Sequence, residues 1–332
     1  MCEKRFYTIS EKGELSQVAS LASAQAAAST GGFSWLDYRQ PTAKDLEALI
    51  EPLGIHPLSI EDCIDTNQVP KIDDFPSNSF VLVNSFRVSE RRLVVDEVDL
   101  FLGQNYLVTV SGHDPTAPGP LHDIERVVKL DTNGARQGPA FLMHVILDHI
   151  VDRKFTAIET LEDELDAAEE SMMKDPAHFD PAELLLLRRE LLAIRKSLFH
   201  EREILVKICR RDCPFIPEGA IFHYRDIYDH LAKFFELTET YRDIVTSLME
   251  MHLAMLNNQM AQAANQTNAT VRRLTFITTI FMPLTLLAGI GGMSEWSMMT
   301  GPQNWRIAYP AFLFLMVVLG VANYYLLRRL EK

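Results

Sequence analysis

The sequence predicts an α+β membrane protein, in which an α/β domain is followed by long helices and by two transmembrane helices. Short β-branched and aromatic segments alternate with helical segments as far as residue 135. From Gly138 onward, apolar residues recur every three or four positions, and two long uncharged stretches lie near the end of the chain. These observations assign residues 1–135 to a cytosolic α/β domain and residues 136–273 to a cytosolic helical hairpin and stalk.

The first 135 residues contain several segments typical of β-strands. They are β-branched or aromatic and are bounded by Gly, Asn or Ser: RFYTIS, FSWLDY, SFVLVNSFRV, RRLVVDEVDLFLG and NYLVTVSG. The segments TAKDLEALIEPLG and PLHDIERVVKL have helical periodicity, and Thr42 and Ser59 are candidate N-cap residues for the elements that they precede. We therefore expect a small α/β domain with an extended sheet.

The periodicity after Gly138 predicts three long helices, over residues 138–174, 181–212 and about 220–292. Prolines interrupt the pattern between these segments. The third segment has no Pro or Gly between Gly219 and Pro283. At 1.5 Å per residue it predicts one continuous helix on the order of 100 Å long.

Two stretches near the end of the chain predict transmembrane helices. Residues 274–293 carry no charge over 20 residues, and residues 307–327 carry none over 21 residues. A helix needs roughly 20 apolar residues to cross about 30 Å of hydrocarbon. A pair of buried core helices is the alternative, which we favour less because the core of a soluble domain seldom requires uncharged stretches of this length.

Basic residues predict the orientation of these helices. Arginines at 272–273 precede the first stretch, and residues 328–332, the predicted cytosolic tail, carry three basic residues after the second. The excess of positive charge on the cytoplasmic side of membranes places both termini in the cytosol. Residues 294–306 then form an extracytoplasmic loop. Since residues 1–30 lack the pattern of a signal peptide, we expect a multi-pass protein of a bacterial-type inner membrane.

The charge and cysteine content of the chain limit the classes of partner that it is expected to bind. A net charge of −13 argues against nucleic acid and favours cations. In a reducing compartment the four cysteines are expected to be free thiols. Cys209 and Cys213, four residues apart, suggest a weaker alternative, in which they share a metal with His200 or His223.

The stretch at residues 257–273 is rich in amides and uncharged until its end. It fits either a polar coiled-coil surface or the lining of a water-filled lumen.

One stripe of the long helix, followed at a mean step near 3.5 residues, alternates polar and apolar side chains: Asn268, Val271, Leu274, Thr278, Met282, Thr285, Gly289 and Gly292. Around a symmetric axis this stripe predicts a pore for a hydrated cation, with hydrophobic constrictions at Leu274 and Met282. A helix-packing face with small residues is the alternative.

The segment LTFITTIFMPLTLLAGIGGMS resembles the first transmembrane helix of the CorA metal-ion transporter superfamily, whose signature there is Gly-Met-Asn. Further segments resemble CorA-type sequences in the same order along the chain: LGIHPLSIEDCIDTNQVPKIDDF, VDLFLGQNYLVTVSG, LDHIVDRKFTAIETLEDELDAAEE, FHYRDIYDHLAKFFELTETYRDIVTSLME and IAYP. The resemblance therefore covers most of the chain.

This resemblance implies a homopentameric funnel with a pore-lining first transmembrane helix. It implies transport of a divalent cation, Mg²⁺ or Zn²⁺ and possibly Co²⁺ or Ni²⁺, which also acts as a regulatory ligand, with no prosthetic group. In the family, cytosolic metal bridges acidic residues of neighbouring protomers and holds the pore closed. The matching positions are Glu61, Asp62, Asp148 and Asp226. Without the resemblance, each of them would be an ordinary surface carboxylate.

The sequence departs from the family at its signature. Gly292 and Met293 match, but Ser294 replaces the asparagine, and Glu295 is the one acid in the following loop. Both differences leave the metal open between Mg²⁺ and Zn²⁺. They also support an alternative function, a non-conducting membrane-bound metal sensor or scaffold. An enzyme is not predicted, because the sequence offers no nucleophile–base pair or phosphate-binding loop.

Overall fold

The computed structural model describes residues 2–28, 31–65, 68–89, 92–112, 119–130, 137–292, 301 and 304–330. The chain divides into two compact units, Met1–His252 and Leu253–Lys332. The first unit combines a β-sheet with helices, and the second contains the apolar helices near the end of the chain.

The described part of the first unit contains a seven-stranded sheet with the order β2-β1-β3-β7-β6-β5-β4. Neighbouring strands are antiparallel except for β3 and β7, which are parallel. The five predicted strands are present, and two four-residue edge strands, β2 and β4, are additional. The strands are β1 (Glu3–Ile9), β2 (Leu15–Val18), β3 (Phe33–Arg39), β4 (Lys71–Asp74), β5 (Ser79–Ser89), β6 (Arg92–Leu102) and β7 (Tyr106–Ser111).

Within the described residues of the first unit, five short helices accompany the sheet and three long helices begin. The short helices are α1 (Leu21–Ala28), α2 (Ala43–Glu47), α3 (Ile50–Leu53), α4 (Pro57–Ile64) and α5 (Ile124–Leu130). The long helices are α6 (Pro139–Lys174), α7 (Ala182–Cys209) and α8 (Ile221–Gly291). The periodicity of the sequence predicted all three long helices, including the continuity of α8, which begins in the first unit and extends into the second.

Of the two predicted N-cap residues, one is confirmed and the other is wrong. Thr42 is the N-cap of α2, and its backbone N–H donates to Asp45 Oδ2 at 2.9 Å. Ser59 is not an N-cap, because it lies inside α4. The N-cap there is His56, whose Nδ1 accepts a hydrogen bond from the Leu58 N–H at 3.2 Å. The proline at the first position of α4 explains the earlier start, because its fixed φ suits that position and its missing N–H costs nothing there.

The segment TAKDLEALIEPLG was predicted to be helical, and it forms two helices, α2 and α3, separated at residues 48–49. Gly54 ends α3 in the left-handed conformation, with φ of 67°. Glycine adopts this conformation without the steric cost that a Cβ would bring.

The sheet separates two hydrophobic cores. Along β5, Val81 and Val83 point into a core with α5 to α8, whereas Phe80 and Leu82 point into a second core with α1 to α4. This alternation follows from the two-residue period of a strand. Helix α4 therefore lies on one face of the sheet, and α6 and α8 lie on the other.

In the first unit, α8 buries one stripe of side chains, which recur every three or four residues from Ile221 to His252. The Tyr224 hydroxyl donates to the Ala140 carbonyl of α6 at 2.6 Å, and Phe155 stacks on Phe234 with ring centroids 5.4 Å apart. The helices pack as an amphipathic bundle against the sheet.

The second unit contains the end of α8 and the helix α9 (Trp305–Leu330). Within the described residues, these two helices are long and apolar enough to cross a membrane. No described side chain of this unit is buried. Such exposure suits helices that face lipid or neighbouring chains.

Candidate ion pathway and metal sites

Helix α9 packs against one face of α8. The Asn323 side chain donates to the Thr279 carbonyl at 3.1 Å, and the rings of Tyr324 and Phe276 meet edge to face at 5.8 Å. At Gly291, an added Cβ would lie 2.8 Å from a phenylalanine ring of α9. Small size at this position allows the two helices to approach closely.

The predicted pore stripe lies on the other side of α8. At about 100° per residue, Leu274, Met282, Thr285 and Gly289 fall within about 40° of Thr278, whereas the α9 contacts centre on the opposite face. The remaining described stripe residues are Asn268, Val271 and Gly292, and every member of the stripe is exposed. The structure thus leaves the stripe clear of α9, and its role as a pore lining stays a prediction.

The hydroxyl groups of the stripe are oriented by their own helix. Thr278 Oγ1 donates to the Leu274 carbonyl at 3.0 Å, and Thr285 Oγ1 donates to the Phe281 carbonyl at 2.8 Å. Because each proton is already donated, the oxygen lone pairs remain as acceptors. Acceptors suit a hydrated cation, whose water molecules donate hydrogen bonds, better than an anion.

Pro283 lies inside α8 without ending the helix. Its missing N–H removes the intrahelical partner of the carbonyl four residues earlier, which belongs to Thr279. Asn323 of α9 donates to that same carbonyl. The pair illustrates how a neighbouring helix satisfies a backbone group that proline leaves open within a membrane.

The predicted selectivity motif is only partly within the described residues. The Gly292 N–H donates to the Ala288 carbonyl at 2.9 Å as α8 ends. Met293 and Ser294 lie outside the described residues, as does most of the predicted loop at residues 294–306. The effect of the serine on metal choice therefore remains a prediction.

Of the predicted regulatory carboxylates, Glu61 and Asp62 lie on α4. Glu61 is exposed, and Asp62 Oδ2 forms an ion pair with Lys71 Nζ of β4 at 2.6 Å. A metal at Asp62 must share this carboxylate with the lysine or displace it.

The other two carboxylates lie on neighbouring long helices. Asp148 is half-buried on α6, and Asp226 is exposed on α8. Burial raises the pKa of Asp148, and the negative charges of Asp152 and Asp226 raise it further. The same charges favour a bound cation, which would relieve their repulsion.

The four carboxylates do not form one site within a protomer. Helix α4 belongs to the second core, whereas α6 and α8 belong to the first, on the opposite face of the sheet. Among the described residues, no three His, Cys, Asp or Glu side chains converge to hold a metal. An ion that touched both pairs would therefore have to join two chains.

The structure also reveals an acidic cluster that the sequence reasoning missed. Glu97 and Asp99 of β6 are buried, and Asp99 lies close to the Cys63 thiol of α4. Burial, followed by the charge of Asp65, raises the pKa of Glu97 to about 7. Burial raises the pKa of Asp99 well above its usual value. The signal was available in VVDEVDLFLG, where alternation places both acids on the same face as the buried Phe101.

The cysteine alternative finds no support among the described residues. Burial raises the pKa of Cys213 to about 12, which keeps its thiol protonated and a poor ligand. His223, one proposed partner, instead contacts the His144 ring of α6.

Comparison with known proteins identifies the family. A family model described as CorA-like Mg²⁺ transporter protein matches residues 30–329. The chain belongs to this CorA family. The cobalt/magnesium transport protein CorA of Thermotoga maritima is 31% identical over 274 residues, which cover 82% of this chain and 75% of that protein. The protein of the same description from Methanocaldococcus jannaschii is 25% identical over 297 residues, covering 89% and 90%.

Solved structures of similar proteins have the same fold. The complete structure of the CorA magnesium transporter from Methanocaldococcus jannaschii matches with a TM-score of 0.70 and 22% identity, over 98% of this chain and 97% of that chain. Full-length CmaX matches with a TM-score of 0.70 and 18% identity, over 99% and 97%. The predicted fold class, an α/β domain with a long helix and two apolar helices, is confirmed. The CorA family consists of transporters rather than enzymes.

Proposed function

We propose that this chain transports a divalent metal cation across the cytoplasmic membrane, through a homopentameric pore that is lined by α8 and gated by cytosolic metal. Both termini are cytosolic in this proposal. The cation, Mg²⁺ or Zn²⁺ with Co²⁺ and Ni²⁺ as further substrates, is cargo and regulatory ligand, and no prosthetic group takes part. The names of its relatives, which include cobalt/magnesium transport proteins, support this class of substrate.

The observation that carries the proposal is the position of the stripe on α8. Its threonines and glycines lie on the face opposite α9, exposed in the single chain. Polar groups on a membrane helix are costly toward lipid and usually face a bundle interior or water. Copies of α8 arranged around an axis would bring these groups together as rings of acceptors.

The separation of the two carboxylate pairs supports the proposed gating. The pair on α4 and the pair on α6 and α8 lie on opposite faces of the sheet, so metal that links them joins neighbouring protomers. Loss of that metal would leave acidic surfaces that repel each other. A ligand shifts a conformational equilibrium by its difference in affinity for the two states.

The test is uptake of divalent ions into liposomes that contain the protein and a metal-sensitive dye, with Mg²⁺, Co²⁺, Ni²⁺ and Zn²⁺ measured in turn. We expect uptake above that of empty vesicles for at least one ion. In a Thr278→Cys variant, a small polar thiol reagent should block this uptake, because residue 278 lies on the stripe. The matched control is Phe276→Cys, whose side chain lies toward α9.

Equal block of the two cysteine variants would contradict the assignment of the stripe. Failure of every ion to enter, with protein correctly inserted, would favour the alternative function of a non-conducting metal sensor or scaffold.

A further inference from the structure

Two histidines face each other where α6 meets the first turn of α8. The rings of His144 and His223 have centroids 4.9 Å apart, and their planes are inclined by 60°. His144 is half-buried and His223 is exposed, so the pair is accessible from solvent in the protomer.

The separation of the rings matches that of two imidazoles on one metal ion. With metal–nitrogen distances of about 2.1 Å, two adjacent imidazole ligands have ring centroids roughly 4.6 to 5.3 Å apart, depending on whether the geometry is octahedral or tetrahedral. The rings therefore already have the spacing of a two-histidine site.

Each histidine is followed by an aspartate after one helical turn. Asp148 comes four residues after His144 on α6, and Asp226 comes three residues after His223 on α8. Residues at these spacings lie on the same face of a helix. Metal sites in helical bundles use the same arrangement, with an acid and a histidine one turn apart on facing helices.

Aromatic side chains hold the two rings in place. Phe141 meets the His223 ring edge to face at 5.6 Å, and Tyr224 meets the His144 ring edge to face at 5.8 Å. Both aromatic residues are buried, and the Tyr224 hydroxyl is fixed by the Ala140 carbonyl at 2.6 Å. These contacts fix the orientation of the two imidazole rings.

We propose that His144 and His223 bind a late first-row divalent cation, Zn²⁺, Co²⁺ or Ni²⁺, with water completing the coordination. No three donor side chains converge among the described residues, so the two imidazoles are the protein ligands of this site. Imidazole nitrogen suits these ions, whereas Mg²⁺ prefers oxygen ligands and retains its water.

The site joins α6 to α8, the helix that carries the predicted pore stripe. It therefore gives the protein a way to sense transition metals separately from Mg²⁺. This consequence for transport rests on the proposed function, but binding of the metal to the two histidines does not.

The experiment titrates the full-length protein in detergent with Co²⁺ and follows the d–d absorption bands that nitrogen ligands produce. We expect saturable binding by the unaltered protein and at least a tenfold weaker affinity in His144→Gln and in His223→Gln. His178→Gln serves as the matched control, because His178 is exposed and pairs with Asp175 away from this site. Unchanged affinity in the double variant His144→Gln with His223→Gln would overturn the proposal.

A second measurement uses the unaltered protein and so does not depend on the folding of a variant. Zn²⁺ should protect His144 and His223 from modification by diethyl pyrocarbonate, as read by mass spectrometry, whereas Mg²⁺ should not. Equal modification with and without Zn²⁺ would overturn the proposal. Uptake of metal into liposomes by the unaltered protein tests the pore without reference to the histidines, so failure of one hypothesis can be told from failure of the other.

Discussion

At the scale of single residues, a buried ion pair between Lys154 of α6 and Glu201 of α7 ties the long helices to the sheet. Lys154 Nζ lies 2.6 and 2.7 Å from the two carboxylate oxygens of Glu201 and also donates to the Asn84 carbonyl of β5. Both side chains are at most 2% exposed. Burial lowers the pKa of Lys154, and the charge of Glu201 opposes that shift. The pair fixes how the three elements pack.

Lys154→Met should therefore lower the free energy of unfolding by about 3–5 kcal/mol, because it leaves the Glu201 carboxylate buried without its cation. The double variant Lys154→Met with Glu201→Leu should recover much of this loss. Chemical denaturation of the detergent-solubilised protein measures both, with Lys129→Met as the exposed control. If the single and double variants were equally unstable, the unpaired charge would not be the cause.

The buried Glu97 makes stability depend on pH. Its pKa is raised from 4.5 to about 7, so the folded protein retains a proton that the unfolded chain releases between these values. The stabilisation from this group is fully present below about pH 4.5 and is lost as the pH rises through 7. Above pH 7 the folded protein must hold a buried negative charge beside other acids.

Glu97→Gln should consequently raise the free energy of unfolding at pH 8 by about 1–3 kcal/mol, because the amide stays neutral. The difference from the unaltered protein should shrink toward zero near pH 4.5. Thermal or denaturant unfolding across this pH range measures it, with the exposed Glu51→Gln as control. A difference that did not change with pH would show that ionisation of Glu97 does not cause it.

At the scale of elements, a hydrogen bond to one backbone carbonyl of α8 joins α8 to α9. Pro283 leaves the Thr279 carbonyl without its intrahelical donor, and Asn323 donates to it from α9. Asn323→Leu should destabilise the pairing of these helices by about 1 kcal/mol, a usual size for a polar contact between membrane helices. In a Pro283→Ala background the helix supplies its own N–H, so the same substitution should cost less.

A double-mutant cycle on these two positions, followed by unfolding in mixed micelles, isolates the interaction. Additive effects of Asn323→Leu and Pro283→Ala would contradict the role assigned to the asparagine amide.

At the scale of the whole molecule, the proposed gating depends on contacts between chains. Asp62 and Asp226 lie on opposite faces of the sheet, so an ion that binds both types of site links two protomers. Mg²⁺ should therefore protect the unaltered protein from proteolysis, and Asp62→Ala combined with Asp226→Ala should remove most of that protection. Asp163→Ala with Glu170→Ala, which removes two exposed carboxylates of α6, is the matched control. Full protection in the first double variant would exclude these aspartates as the sensor.

The sequence by itself determined the elements whose signals are local. Apolar spacing of three to four residues marked α6, α7 and the whole of α8, because a helix buries one stripe along its own length. Two uncharged stretches marked the apolar helices, since crossing hydrocarbon requires about 20 such residues. Thr42 marked the start of α2. The order of CorA-like segments indicated the family, which the comparison with known proteins confirmed.

Only the tertiary structure decided which distant residues meet. Edge strands β2 and β4 are short and gain their hydrogen bonds from neighbours in the sheet, so their own residues carry little signal. The pairing of His144 with His223 depends on how α6 packs against α8, and the face of α8 that contacts α9 depends on the match at Asn323. Periodicity predicts which residues share a face of one helix. The element that packs against that face depends on contacts between segments far apart in the chain, and a local sequence pattern does not predict those contacts.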